Sequence, residues 1–329
     1  MADILGSLLS FLGWKLPFKF IFSNEYWMVE LGRHVFAVKK YRLLFERIVG
    51  LGAGPQDFIT PQPATDEDLL LVHTPKYVKK IKSGTLSSLE LQALELPFSS
   101  EVVRFFTLMT GGTIATVEEA LKNRLAFHIG GGFHHAFPDH GEGFCLFNDV
   151  AVAVEKVKKE GKINRAMIVD ADLHQGNGTA FFFRDRDYVF TFSIHQMDIY
   201  PSEKLESNVD VGLWSGDDDA AYLSALKPYF PKIYQEFEPD LVVYIAGADP
   251  FRNDMLSGLD VSKEGLKKRD QIILDSALKL GIPVAIVLGG GYAPEIEDTV
   301  DIHLNTVKAA ARAWKKNPQA LVTSLIQSR

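Results

Sequence analysis

The chain has 329 residues, of which 47% are hydrophobic and 23% charged, a composition that excludes an extended disordered protein and fits one sizeable domain with a buried core. Asp and Glu number 42 against 35 Lys and Arg, a formal charge of −7, so the overall balance gives no reason to expect a nucleic-acid partner. The single cysteine, Cys145, excludes an internal disulfide and points to a reducing, cytoplasmic compartment.

In chain order, residues 4–14 come first, an apolar stretch in which Ile4, Leu8 and Leu12, with Leu5 and Leu9, share one helical face. It is too short to span a bilayer and lacks the basic start of a secretory signal. Packing on the body, self-association or lipid contact are the uses left open for it. Residues 31–49 read as a helix with no obvious chemistry. The basic runs Lys39-Lys40-Tyr41-Arg42 and 76–82 read as solvated helix faces. Thr65 and Asp68 form a capping box that opens a helix through Val72.

From residue 124 onward a pattern recurs: a short apolar, strand-like run ends in chemically loaded residues, and a helical stretch follows. The runs are 124–128 before GGG, 166–170 before Ala-Asp-Leu-His, 188–193 before Ile-His-Gln, 241–246 before Gly-Ala-Asp, and 283–288 before GGGY. Helices are expected over 148–160, 217–237 and 261–280, the last closed by Gly281. Such alternation predicts an α/β fold, a single-domain three-layer αβα arrangement around a mostly parallel central sheet. Ligands of open parallel sheets bind beyond the carboxyl ends of the strands, where all five loaded segments fall.

The segment VDADLHQGNG at 169–178 places Asp170, Asp172 and His174 on one face if the chain there is extended. Two carboxylates and an imidazole on one face are costly unless a cation binds them, and Asp172 with His174 supplies an oxygen and a nitrogen ligand. Asp249, after an almost wholly apolar strand, is the candidate third ligand, although Asp249-Pro250 also suits a turn. His134 and His135 are neighbours, so they serve one site only from a loop, which the preceding glycines provide. Gly289-Gly290-Gly291-Tyr292 lacks the spacing of a phosphate loop and instead makes room for a substrate while aiming Tyr292 into the cleft. A phenol placed there donates a hydrogen bond to a carbonyl oxygen as it gains charge.

GGGFHHA with GFCLFND, VDADLHQGNG, SIHQMDIYP, AGADP and GGGY together resemble the histone deacetylase family of the arginase-deacetylase fold. HVFAVKKY at 34–41 and the QGNG wording are most similar to its class IV branch and bacterial relatives. The resemblance implies a catalytic domain over 20–315, with 1–19 a separate apolar segment and 316–329 a tail. It also implies a zinc-dependent lysine deacylase that hydrolyses the amide of acyl-lysine, with acetyl or a longer acyl group, to lysine and carboxylate. Zinc, with ferrous iron able to replace it, would be bound by Asp172, His174 and Asp249. His134, His135 and Tyr292 would be catalytic, supported by Asp170 and Asn177. Gly143, Phe144, Tyr200, Leu256 and Gly290 would line the acyl-lysine channel, although many relatives have Phe where this chain has Tyr200. A structural potassium ion would sit on the carbonyls of Asp170, Asp172 and His174 with Ser193 and Ile194.

Asn177 stands where several relatives have Asp, so the two histidines have unlike expected partners, Asp170 for His134 and Asn177 for His135. A carboxylate raises the pKa of an imidazole, whereas an amide fixes the tautomer without adding charge. His134 is then the cationic member and His135 the neutral base. Three alternatives stay open: an amidohydrolase for small molecules such as acylated polyamines, a binuclear manganese hydrolase on the same fold, and an acyl-binding protein without turnover. Glu142 and Asp139 read as solvated loop acids that could steer a basic substrate, and Arg252 and Asp254 as candidates for the pocket rim. His128 and His195, near strand ends, are satisfied polar residues or supports of the site.

Overall fold

The computed structural model describes residues 16–317, so the stretch 4–14 and most of the expected tail lie outside the described residues. Among the described residues, eight strands form one sheet: β1 (Lys19–Ile21), β2 (Phe58–Ile59), β3 (Leu125–His128), β4 (Ala166–Asp170), β5 (Val189–Gln196), β6 (Val209–Leu213), β7 (Leu241–Ile245) and β8 (Val284–Val287). Their order is β2-β1-β3-β8-β7-β4-β5-β6, and every pairing is parallel. The central strands β3, β4, β7 and β8 are buried at every position, which is why they read as unbroken apolar runs rather than alternating ones. At the two edges the strands change character: β2 has only two residues, and β6 exposes Asp210 and Gly212.

The sheet is covered by helices, completing a three-layer α/β body. Helix Ser100–Asn123 packs on β3, β8 and helix Asp149–Lys159, while Ile296–Lys316 packs on Lys263–Lys279 and Lys39–Gly50. The long helix expected at 217–237 is two, Asp219–Leu226 and Lys232–Phe237, interrupted where Pro228 and Pro231 remove backbone donors. The body also begins earlier than residue 20. Leu16 and Phe18 are buried and Lys19 opens β1, so the expected boundary moves toward the N-terminus.

Helix Lys39–Gly50 corrects two expectations. It is shorter than 31–49, and its buried face carries Lys40 with Tyr41, Leu44 and Ile48, so Lys40 is not solvated. The run at 76–82 does present Lys76, Lys79 and Lys82 to solvent, as expected. Among the described residues, no helix is long and apolar enough to cross a membrane.

The chain lays down β3, crosses to β4, β5 and β6, then returns to fill the gap with β7 and β8. The segments following β3, β8, β7 and β4 therefore leave the sheet side by side.

Candidate active site

After β3 the chain turns through Gly131 and Gly132, both at positive φ. Gly132 passes so close to the β8 loop that a Cβ there would lie 2.7 Å from Gly289 N. The turn is held by Asp149, the first residue of helix Asp149–Lys159, whose carboxylate accepts from Gly132 N at 3.0 Å, from Phe133 N at 2.7 Å, and from the Thr113 hydroxyl. Gly289 N donates to Gly131 O at 3.0 Å, joining the β3 and β8 loops. This anchored turn delivers His134 and His135 to one site despite their adjacency.

Their partners differ as expected. His134 Nδ1 is 2.6 Å from Asp170 Oδ2, His135 Nδ1 is 2.7 Å from Asn177 Oδ1, and the two Nε2 atoms are 3.1 Å apart. Burial alone would drive His134 toward neutrality, but the Asp170 and Asp172 carboxylates outweigh it and hold the imidazole up at about 9. Burial and the neighbouring charge of His134 push His135 well below the ordinary histidine value.

Strand β4 stops at Asp170, and the chain then bends. Extended-chain alternation is thus not what unites Asp170, Asp172 and His174: Asp170 turns to His134, while Asp172 and His174 meet Asp249 from the end of β7. One ligand atom from each of Asp172, His174 and Asp249 lies within 4.8 Å of the others, and all three residues are buried. Among the described residues Asp249 Oδ2 receives no well-formed hydrogen bond, and it lies 3.2 Å from His174 Nδ1. Burial and the adjacent Asp172 push the Asp249 carboxyl up to about 7. An orphaned, buried carboxylate oxygen facing a second carboxylate and an imidazole is a donor set able to hold a divalent cation, its O,N,O donors compatible with zinc.

Backbone bonds fix these side chains. Gly290 N donates to Asp172 Oδ2 at 2.6 Å and Leu173 N to Asp249 Oδ1 at 3.0 Å. Position 290 must be glycine, because a Cβ would sit 2.2 Å from Asp249 Oδ2. The fully buried Arg269 bridges the β4 and β7 ends, its Nη1 donating to Ala171 O at 3.0 Å and Gly247 O at 2.7 Å. Asp270 balances its charge at 2.9 Å.

A channel of about 170 Å³ leads to this group, lined by Glu95, His135, Gly143, Phe144, His174, Tyr200, Leu256 and Tyr292. Below it, a space of only about 20 Å³ is enclosed by residues that include Phe36, Phe133, Cys145, Gly289 and Gly290. Phe144 adopts φ 64, an unusual conformation for a bulky residue, and packs edge-on to Tyr292 with ring centroids 5.9 Å apart. Tyr200 packs on His135 at 4.9 Å and remains 39% exposed at the mouth. Burial and the nearby Asp249 and Asp172 hold the Tyr292 phenol above its ordinary value, hence protonated.

The expected catalytic, metal and channel residues therefore converge on one place. Ser193 and Ile194 lie on β5, next to β4, and the Ser193 hydroxyl is 2.8 Å from His195 Nδ1. His128 is bonded to Tyr26 and Thr113 away from the channel. Arg252 pairs with Asp260 on the surface, and Asp254 is buried beneath Tyr292, whose backbone N it accepts at 2.5 Å, rather than forming the rim. Glu142 is not a solvated loop acid: it accepts from Asn177 Nδ2 at 2.6 Å and from Tyr200 OH at 2.7 Å. Cys145 is buried, and burial drives its thiol well above the ordinary value, as befits a packing residue.

Lys40, read from the sequence as part of a solvated basic run, belongs to this site. It is 1% exposed, and its Nζ lies 3.4 Å from Gly289 O and 3.5 Å from Gly291 O, behind Tyr292. The signal was available: Lys40, Leu44 and Ile48 recur every four residues on an apolar face.

A family model described as the histone deacetylase domain matches residues 34–307. The chain belongs to the histone deacetylase family. Membership makes it a deacetylase-type hydrolase acting on amides. It is 40% identical over 296 residues to an uncharacterised protein of Picosynechococcus sp., covering 90% of this chain and 99% of that one. Histone deacetylase 2 of Arabidopsis thaliana is 30% identical over 285 residues, 83% of this chain and 74% of that protein. Among solved structures, an HDAC homolog complexed with SAHA superposes with a TM-score of 0.77 at 27% identity, covering 91% of this chain and 89% of its own.

Proposed function

We propose that this histone deacetylase family member removes short acyl groups, acetyl above all, from the side-chain nitrogen of lysine. The observation that carries the reading is the unequal histidine pair at the inner end of the channel, one ring on a carboxylate and the other on an amide. A site that only binds has no use for a charged imidazole 3.1 Å from a neutral one.

Asp172, His174 and Asp249 would hold one divalent cation, zinc or ferrous iron in its place, which supplies Lewis acidity to the scissile carbonyl when bound. The remaining work belongs to the chain. His135 Nε2 takes a proton from the attacking water, and His134, kept cationic by Asp170, stabilises the negative charge that develops. The Tyr292 hydroxyl donates to the carbonyl oxygen as it becomes an oxyanion. The proton then passes to the leaving amine, giving lysine and carboxylate. Gly143, Phe144, Tyr200 and Leu256 would enclose the lysine methylenes. Potassium is proposed at the carbonyls of Asp170, Asp172 and His174 with Ser193 and Ile194, as a structural ion only.

The small enclosed space of about 20 Å³ at the inner end supports a preference for a short acyl group such as acetyl over a fatty chain. Glu95 at the channel wall favours a second substrate class, acetylated polyamines, whose remaining amines are cationic. A panel of acetyl-, butyryl- and myristoyl-lysine peptides with acetylated polyamines separates these readings. Acetyl-lysine is expected to give the highest kcat/KM; preference for myristoyl would overturn the size argument, and preference for the polyamine would replace the peptide.

A further inference from the structure

We propose that Glu142 is a positioning residue that sets the tautomer of His135 by orienting the Asn177 amide between them. The proposal rests on the proposed role of His135 as the base, but its structural content stands apart from turnover.

The side-chain amide of asparagine is nearly symmetric in shape, with an acceptor oxygen on one branch and a donor nitrogen on the other. Facing His135 alone, Asn177 could present either. If the oxygen faces Nδ1, the ring must carry its proton on Nδ1 and leaves Nε2 free to accept one. If the nitrogen faces Nδ1, the proton moves to Nε2 and the base is lost. An amide alone therefore does not decide the chemistry of its histidine.

Glu142 removes the ambiguity. A carboxylate only accepts, and its Oε1 lies 2.6 Å from Asn177 Nδ2, so the amide's donor branch is held on Glu142. The oxygen branch then points at His135 Nδ1, 2.7 Å away. Hydrogen bonds from His140, Tyr200 and Asn177 outweigh burial and keep the Glu142 carboxyl below the usual range, hence ionised.

The carboxylate is itself held in place. Tyr200 OH donates to the same Oε1 at 2.7 Å, and His140 Nε2 is 3.5 Å from Oε2. The loop carrying it is pinned at Gly143 N, which donates to Ala93 O, and Phe144 N, which donates to Leu94 O, each at 3.1 Å. The two histidines thus have different kinds of support. His134 has its carboxylate in direct contact, while the carboxylate behind His135 stands one amide away, which fixes that ring's tautomer without placing a second negative charge against it.

The test combines imidazole 15N spectra of the zinc-loaded full chain with steady-state kinetics on an acetyl-lysine peptide, the His135 signals being assigned by their loss in His135→Phe. The native protein is expected to show His135 protonated on Nδ1. In Glu142→Ala the signals should move toward the Nε2–H form, with kcat down about 10- to 100-fold and KM within about threefold. Glu142→Gln keeps an acceptor oxygen and should restore both the spectrum and most of kcat. A Glu142→Ala protein that keeps the Nδ1–H tautomer overturns the proposal, as does a Gln variant whose His135 spectrum is no closer to native than that of Ala. If the tautomer changes as expected while kcat does not, the positioning role stands and the assignment of His135 as the base falls.

Discussion

Lys40→Met replaces a buried ammonium by an uncharged side chain of similar length, and its effect can be worked out as a function of pH. Burial pulls the Lys40 ammonium down from 10.5 to about 8, even though Asp249, Asp172 and Asp254 pull it the other way. Below pH 8 the folded and unfolded chains both carry the proton, and the folded state bears the whole cost of a desolvated cation. Between pH 8 and 10.5 the unfolded chain keeps the proton while the folded one releases it, so wild-type stability gains on the variant as pH rises. At about 1.4 kcal/mol per pH unit, the interval amounts to about 3 kcal/mol. Other titrating groups are common to both proteins and cancel in the difference. The check is urea unfolding of wild type and Lys40→Met from pH 7 to 10.5. The free-energy difference should climb toward the wild type by about 3 kcal/mol, whatever its value at pH 7. A difference that stays level across that range would refute the picture of Lys40 as a charged group held against its solvation.

Tyr292→Phe removes only the hydroxyl proposed to donate to the carbonyl oxygen, so kcat should fall about 100- to 1000-fold with circular dichroism unchanged; a fall of less than about threefold would remove the phenol from the chemistry. His134 is held up at about 9, so it stays cationic below that value and kcat/KM should decline as pH rises through it. In Asp170→Asn the carboxylate is gone and the decline should begin at lower pH, which a pH-rate profile resolves. Arg269→Met leaves Asp270 as a buried charge without its guanidinium and frees the carbonyls of Ala171 and Gly247. Unfolding should become easier by about 3–5 kcal/mol in a denaturant titration, and zinc affinity should drop as the β4 and β7 ends lose their bridge.

The strand ends were legible in the sequence because parallel strands buried on both faces write themselves as apolar runs, and the chemistry follows immediately where each run stops. Asp172, His174, Asp249, the twin histidines and Tyr292 are singled out as candidates that way. What joined them was less legible. Asp170, Asp172 and His174 were grouped by an extended-chain argument, yet β4 ends at Asp170 and a bend sends that carboxylate to His134 instead. Lys40, Asp149, Asp254 and Arg269 were missed or misplaced for a common reason. Each acts on backbone groups of a loop distant in sequence, and no local pattern records such a partner. Lys40 alone left a trace, because its recurrence with Leu44 and Ile48 put a charge on a buried face. Glu142 was misread because a loop carboxylate is indistinguishable from a solvated one until its amide partner is seen.

The central claim is metal-assisted hydrolysis of an acetylated amine by this set of side chains. Its most direct test is acetate release from an acetyl-lysine peptide by the full chain, stripped of metal and then reloaded with one equivalent of zinc, beside Asp249→Asn treated identically. Acetate should appear only with the reloaded native protein, and Asp249→Asn should neither retain zinc at that concentration nor release acetate. Release at the native rate by the stripped protein, or by Asp249→Asn, would contradict the account.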